Sequence, residues 1–378
     1  MNRRERLLAT LKGQPVDRPA VSFYEISGME STDSGDPFNI YSHPSWKPLL
    51  ELAREKTDRM VISYVNFKNA PPDPAKELTT RETRYANGSR LVTTTVRAGK
   101  HVLTSRTRQD PDVNTVWTLE HLLKNVDDLK AWLDIPEREF GGEPDVETTL
   151  RTEEALDGTG IAMIDTADPI CHVAPLFDMG EFTVMAMTEQ DLFGKALERT
   201  ARLIMKRTEA VAKALPGRLW RICGSEYAAP PYLPPHLYRE YVVQYDRRMV
   251  DLIQKHGGYA RIHSHGRLHD VLDGLVSTGC AGLDPIEPPP QGDVSLAYVQ
   301  KKYGRQLVLF GNLEISDIET LPTEQFKKKI RTALREGTDG DGRGFILMPS
   351  ACPYGRVLAP LTLKNYETMI AEVEHLNK

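Results

Sequence analysis

The stretch Gly258-Tyr259-Ala260-Arg261-Ile262-His263-Ser264-His265-Gly266 sets the frame for the whole chain. Tyr259 to Ile262 is a short, mainly apolar run that reads as a β-strand, and it ends on two histidines and a glycine. A helical pattern from Pro235 to His256, with proline at its start, precedes it, and a second from Leu268 to Ser277 follows. A strand set between helices is the unit of a parallel sheet joined by helical crossovers. Toward the C-terminus the unit repeats with strands at Ala281–Asp284, Gln306–Phe310 and Phe345–Met348, and with helices at Ser295–Tyr303, Thr323–Glu336 and Leu363–Leu376. Toward the N-terminus it repeats with strands at Gly160–Asp165 and Arg218–Cys223 and a long helix from Glu189 to Ala214.

Two earlier strands, Pro19–Phe23 and Arg59–Tyr64, with a helix from Trp46 to Lys56 between them, bring the count to eight. Eight is the number that closes an α/β (β/α)8 TIM barrel, which is the expected fold; a doubly wound open sheet is the alternative. Between strands two and three the pattern changes. From Glu77 to Arg108 Thr, Val and Arg alternate at period two, Asn87-Gly88 is a hairpin signal, and Ala98-Gly99-Lys100 is a second turn. This predicts an antiparallel β insertion at about 77–108 in one barrel domain spanning 1–378. No internal repeat or low-complexity tract interrupts it.

Of the 378 residues 40% are hydrophobic and the net charge is −5, so a large core is expected and nucleic acid is not. No apolar run approaches the length of a membrane span, and the charged opening Met1-Asn2-Arg3-Arg4-Glu5-Arg6 is not signal-like. The four cysteines, at 171, 223, 280 and 352, lack disulfide-like spacing. A reduced, cytoplasmic protein is the expectation.

In a barrel of this kind chemistry sits in the loops after the strands. Those loops here carry Tyr24 and Glu25; Asn66 and Lys68; Asp165, Asp168, Cys171 and His172; Gly224 to Tyr232; His263 and His265; Asp284 and Glu287; Gly311-Asn312-Leu313-Glu314; and Pro349 to Arg356. His263 and His265 are two apart, so in an extended chain both imidazoles face the same side. With Cys352 after the last strand they form a candidate metal set, and zinc suits one thiolate and two neutral imidazoles. Glu226 is the candidate fourth ligand or general acid. Tyr227, Asn312 and Tyr354 are expected to line the substrate pocket. Cys171-His172 is the alternative ligand pair, while Cys223 and Cys280 read as small buried core residues.

Asn2-Arg3-Arg4-Glu5-Arg6-Leu7-Leu8-Ala9-Thr10-Leu11-Lys12-Gly13-Gln14-Pro15-Val16-Asp17-Arg18-Pro19 resembles the opening of the uroporphyrinogen decarboxylase superfamily. Gly311-Asn312-Leu313-Glu314, the Gly279 to Pro290 turn and Pro349-Ser350-Ala351-Cys352 resemble it too. The resemblance implies a (β/α)8 barrel and one of two activities. The decarboxylase branch removes acetate carboxyls from a porphyrinogen without a cofactor, and holds them with an Arg-Gln-Ala-Gly-Arg-Tyr segment. Here the matching region reads Glu25-Ile26-Ser27-Gly28-Met29-Glu30, which is acidic and would repel a polycarboxylate.

The other branch, the corrinoid-dependent methyltransferases, includes thiol-activating members with a His-x-Cys…Cys zinc motif. Its first His falls on His263, its last Cys on Cys352, and its middle Cys is replaced by His265. Fewer thiolates leave zinc a stronger Lewis acid, which favours a methyl ether or similar oxygen donor over a thiol. The resemblance therefore implies a zinc-dependent methyltransferase, of the O-demethylase kind. It would work with a small methylated donor and a corrinoid (cobalamin) on a partner protein, and homodimers occur on the decarboxylase side. A cofactor-free decarboxylase and a non-catalytic tetrapyrrole or corrinoid carrier are the alternatives. The chain lacks the Asp-x-His-x-x-Gly segment of cobalamin-binding modules.

Overall fold

Eight parallel strands wrap into one curled sheet: β1 (Ala20–Val21), β2 (Arg59–Ser63), β3 (Gly160–Ala167), β4 (Leu219–Cys223), β5 (Tyr259–Ser264), β6 (Gly282–Pro285), β7 (Val308–Leu313) and β8 (Gly344–Pro349). The structure is a computed structural model and describes residues 1–376. Ladders run β1-β8-β7-β6-β5-β4-β3-β2, which is the neighbour order of a barrel. The seam falls between β1 and β2, where Asp58 N–H donates to Val21 O at 2.7 Å. The fully buried Asp58 carboxylate completes the closure, accepting from Val21 N at 2.9 Å, Arg6 Nη1 at 2.5 Å and Arg18 Nη1 at 2.8 Å. Arg6 also chelates Asp17. Much of the N-terminal segment that carries the family resemblance is therefore the clasp of the barrel floor.

Strand periodicity sorts the core into two layers. Ala20, Met60, Ile161, Met163, Leu219, Val308, Phe310, Ile346 and Met348 form one buried cluster inside the barrel. Leu7 and Leu11, from the helix Arg3–Leu11, join it and plug the floor. The alternate residues, such as Trp220, Ile222, Ala260, Ile262, Leu309 and Leu347, join the larger cluster under the surrounding helices.

The insertion after β2 is a four-stranded antiparallel sheet, Thr79–Ala86, Ser89–Ala98, His101–Gln109 and Val116–Glu120. Asn87 and Gly88 both take positive φ, 51° and 80°, as the two-residue hairpin requires. The fourth strand lies beyond the expected limit of Arg108, because the Asp110-Pro111-Asp112 loop separates it from the alternating run. That loop docks on the one after β8: Asn114 N–H donates to Tyr354 O at 2.7 Å and Arg356 N–H to Asp112 O at 2.7 Å. The insertion is thereby tied to the rim at the strands' carboxyl ends. A shorter pair, Asn66–Lys68 with Glu143–Asp145, frames it, and the helix Glu147–Leu156 leads into β3. The helix expected over Pro235–His256 is broken into Pro235–Tyr238, a π-helical turn at Arg239–Val243, and Gln244–Lys255.

Candidate active site

Above the apolar floor the barrel interior turns polar. Asp165 on β3, Arg221 on β4, Arg261 on β5 and Asp284 on β6 occupy inward positions. Arg221 and Asp165 pair at 2.5 Å, and Arg221 Nη1 donates to Tyr24 Oη at 2.6 Å and to Glu25 Oε1 at 2.8 Å. Burial disfavours this guanidinium, but Asp165, Tyr24 and Glu25 outweigh it and leave its pKa raised. Arg261, only 1% exposed, lies over the Phe310 ring with Nε 2.9 Å from Asp284 Oδ1. The contact is an ion pair without a well-aimed hydrogen bond. Burial would raise the Asp284 pKa, yet Arg261 and His263 hold it below the usual carboxylate value.

The next inward step on β5 is His263, and beyond it His265. His263 Nδ1 meets Asp284 Oδ2 at 2.7 Å, and its Nε2 lies 3.3 Å from Tyr24 Oη. With Asp284 ionised, Nδ1 carries the proton and Nε2 is left to accept from the tyrosine hydroxyl. His265 repeats the motif: Nδ1 meets Glu287 Oε1 at 2.8 Å, while Glu287 Oε2 accepts from Gly266 N at 2.7 Å. Burial opposes protonation of His265, but Glu287 more than compensates and its pKa is raised. Glu287 in turn sits beside Glu314, whose carboxyl is pushed up by burial and by the Glu287 charge and accepts from Ser350 Oγ at 3.1 Å. The two imidazole planes stand at 87° with centroids 4.6 Å apart.

The other expected site residues divide into two groups. Glu226 and Tyr227 line a cavity of about 450 Å3 with His265, Gly266, Tyr232 and Pro290, so these fall at one mouth. Glu226 Oε2 accepts from Gly224 N at 3.2 Å. Asn312 lines a different cavity, of about 280 Å3, between the loops after β6 and β7 and the helix Thr323–Gly337. The Tyr354 side chain is 54% exposed, and its carbonyl is the part engaged by the insertion. Neither lies on the cavity of Glu226 and His265.

Cys352 is half-buried against the core cluster, and burial, then Glu25, pushes its thiol up to about 12. Among the described residues no three His, Cys, Asp or Glu side chains form a group able to hold a metal ion. The two imidazoles are oriented as metal ligands are, each with Nδ1 held by a carboxylate. The third donor is not gathered with them, and the full zinc set does not fit this geometry.

The alternative pair is split as well. The Cys171 thiol lies beside Cys223, whose own thiol donates to Thr166 O at 3.4 Å, whereas His172 faces a cavity of about 620 Å3 against the helix Gln190–Ala214. Cys280 is buried, as expected, but Cys223 is only half-buried at the top of β4. Sequence reasoning overlooked Arg221 and Arg261. Their signal was present, since each is a charged residue inside an apolar strand run and Arg261 precedes His263 by one period of two.

Titratable side chains gathered at the carboxyl ends of eight parallel strands, over a packed floor, define this molecule as a barrel enzyme. The chain belongs to the uroporphyrinogen decarboxylase family, whose model, described as uroporphyrinogen decarboxylase (URO-D), matches residues 150–375. No curated protein matches the sequence significantly. Among solved structures, a methyltransferase from Methanosarcina mazei shares 16% identity, with 100% of each chain covered and a TM-score of 0.62. A 3-keto-D-glucoside 4-epimerase from E. coli shares 15% identity over 61% of this chain and 95% of its own, at a TM-score of 0.33. Among the described residues no helix is long and apolar enough to cross a membrane.

Proposed function

We propose that the chain is a methyltransferase that moves a methyl group between a small methylated donor, such as a methyl ether, and a corrinoid carried by a partner protein. The observation that carries this reading is the pair of imidazoles at the barrel mouth, each with Nδ1 fixed by its own carboxylate. Such second partners set the tautomer that offers Nε2 to a metal. The full-length likeness of fold to an archaeal methyltransferase is consistent with this choice within the family.

Zinc is the metal this reading calls for, and His263 and His265 would be two of its ligands; Cys352, the third expected from the sequence, packs against the core apart from them. When bound the metal would supply Lewis-acid activation of the donor heteroatom. The chain's own residues do the rest. Glu226, on the same cavity as His265, would hold the proton that neutralises the leaving oxygen, and Tyr227 and Tyr232 would cover the apolar part of the donor. Arg221 would hold the Tyr24 hydroxyl, which lies on His263 Nε2 in this structure and would give that lone pair up to a bound metal.

Cofactor-free decarboxylation is the second reading. Against it stands the pairing of Arg221 with Asp165 and Glu25, which leaves that buried guanidinium already neutralised rather than open to a substrate carboxylate. Elemental analysis of protein purified without chelator is expected to give about one zinc per chain. The His265→Ala variant should lose it and Cys280→Ala should keep it, while Cys352→Ala reads whether that thiol joins the set. Protein that neither contains nor takes up zinc, and that converts uroporphyrinogen to coproporphyrinogen at an enzymic rate, would replace the first reading by the second.

A further inference from the structure

Behind the histidine strand, on the side facing the helices, lies a polar cluster that the proposed chemistry does not use. Asp246 stands in the first turn of the helix Gln244–Lys255, is fully buried, and has no hydrogen-bond partner on either carboxylate oxygen. Asp168, 1% exposed, follows β3; its Oδ1 accepts from Cys171 N at 2.8 Å, while its Oδ2 is unpartnered. The Tyr238 hydroxyl sits beside those of Ser225 and Ser264 without a well-aimed bond to either, and it and Ser264 Oγ are also buried and unpartnered. Five buried oxygens thus lack a partner in one region. The charged neighbour that acts on both aspartates is another acid, Glu226, and Asp246 acts on Asp168 as well.

Such an arrangement is costly as it stands, because each buried polar group without a partner forfeits its hydration. It is also built from both sides. Gly224 at φ 128° makes room for Asp168, since a Cβ there would fall 2.1 Å from Asp168 Oδ1. The π-helical turn Arg239–Val243 separates Tyr238 from Asp246 in the chain. The unpartnered donors are all oxygens, from two carboxylates and two hydroxyls, which suits a hard cation better than zinc, and the Cys171 and Cys223 thiols stand beside Asp168 at its edge.

We propose that Asp168 and Asp246, with the hydroxyls of Tyr238, Ser225 and Ser264, hold a hard metal cation that locks the loops after β3 and β4 and the end of β5 to the helices Pro235–Tyr238 and Gln244–Lys255. Ser225 Oγ also donates to the His263 carbonyl at 3.3 Å, so the cation would brace the backbone that presents the candidate metal-binding histidine. Burial, with the neighbouring acids, raises both carboxyls, Asp246 to about 8, so the pair needs a proton or a cation to be neutralised.

The test uses the full chain, stripped with EDTA, dialysed into tetramethylammonium buffer and melted with Mg2+, Ca2+ or K+ added separately. At least one is expected to raise the Tm of the unmodified protein by roughly 3 °C at a hundredfold excess over its Kd. Asp246→Asn and Asp168→Asn, checked for folding by circular dichroism, should lose that shift. No shift with any of the three ions, or a shift that survives in both variants, overturns the proposal. Should neither variant fold, crystals of the unmodified protein soaked in Mn2+ decide it. An anomalous peak within coordination distance of Asp246 supports the site, and its absence overturns it.

Discussion

Asp284→Asn tests the polar layer that connects the barrel core to the site. Asp284 is fully buried, with Arg261 Nε 2.9 Å from one oxygen and His263 Nδ1 2.7 Å from the other. The amide keeps the shape and removes the charge. Arg261, 1% exposed, then loses its nearest ion-pair partner, and stranding one member of a buried pair costs about 3–5 kcal/mol. The expected change in urea denaturation is therefore a loss of that size. The Arg261→Met/Asp284→Asn double variant removes the stranded charge and should recover more than half of it, so that it loses far less than the two single variants together. Methionine suits the packing over Phe310, where the Arg261 stem now lies. A single variant within about 1 kcal/mol of the unmodified protein, or a double variant as unstable as the sum of the two singles, would refute the reasoning.

Three further outcomes are expected. Asp58→Asn should destabilise the fold by about 3 kcal/mol or more, because Arg6 and Arg18 both lose a buried partner at the seam, and limited proteolysis should then cut first near the N-terminus. Glu287→Gln should cost stability in a pH-dependent way in metal-free protein. The His265 pKa is raised in the folded state and that of Glu287 is lowered. Their mutual contribution is therefore full between the ordinary carboxylate and imidazole values, about 4.5 to 6.5, and is lost as pH rises through the folded His265 value. The gap between variant and unmodified protein in denaturation midpoints should shrink from pH 5.5 to pH 9, and a growing gap would contradict the pairing. Gly224→Ala should destabilise by about 1–3 kcal/mol, since a Cβ would fall 2.4 Å from Cys171 Cβ at a φ that side chains rarely adopt; a neutral effect by thermal melting would show that the loop after β4 yields.

What the sequence determined by itself was whatever local periodicity encodes. Strand–helix alternation specified eight parallel strands, and period two placed His263 and His265 on one face, because both signals depend only on neighbours in the chain. Asn87-Gly88 likewise marked its hairpin, since few residue pairs accept two positive φ angles. Tertiary structure decided what depends on distant partners. That the Arg6-to-Pro19 segment clasps the seam through Asp58, that Asp284 and Glu287 each hold one imidazole, and that Arg221 is already paired are facts of side chains 11 to 197 residues apart. It also separated residues that share a face in the strand count. Asn312 stands in β7 and Cys352 and Tyr354 follow β8 at the same barrel end, yet Asn312 lines a neighbouring cavity, Tyr354 is exposed to solvent, and Cys352 packs against the core. A loop's path is set by what it packs on, and no periodicity in the chain records that.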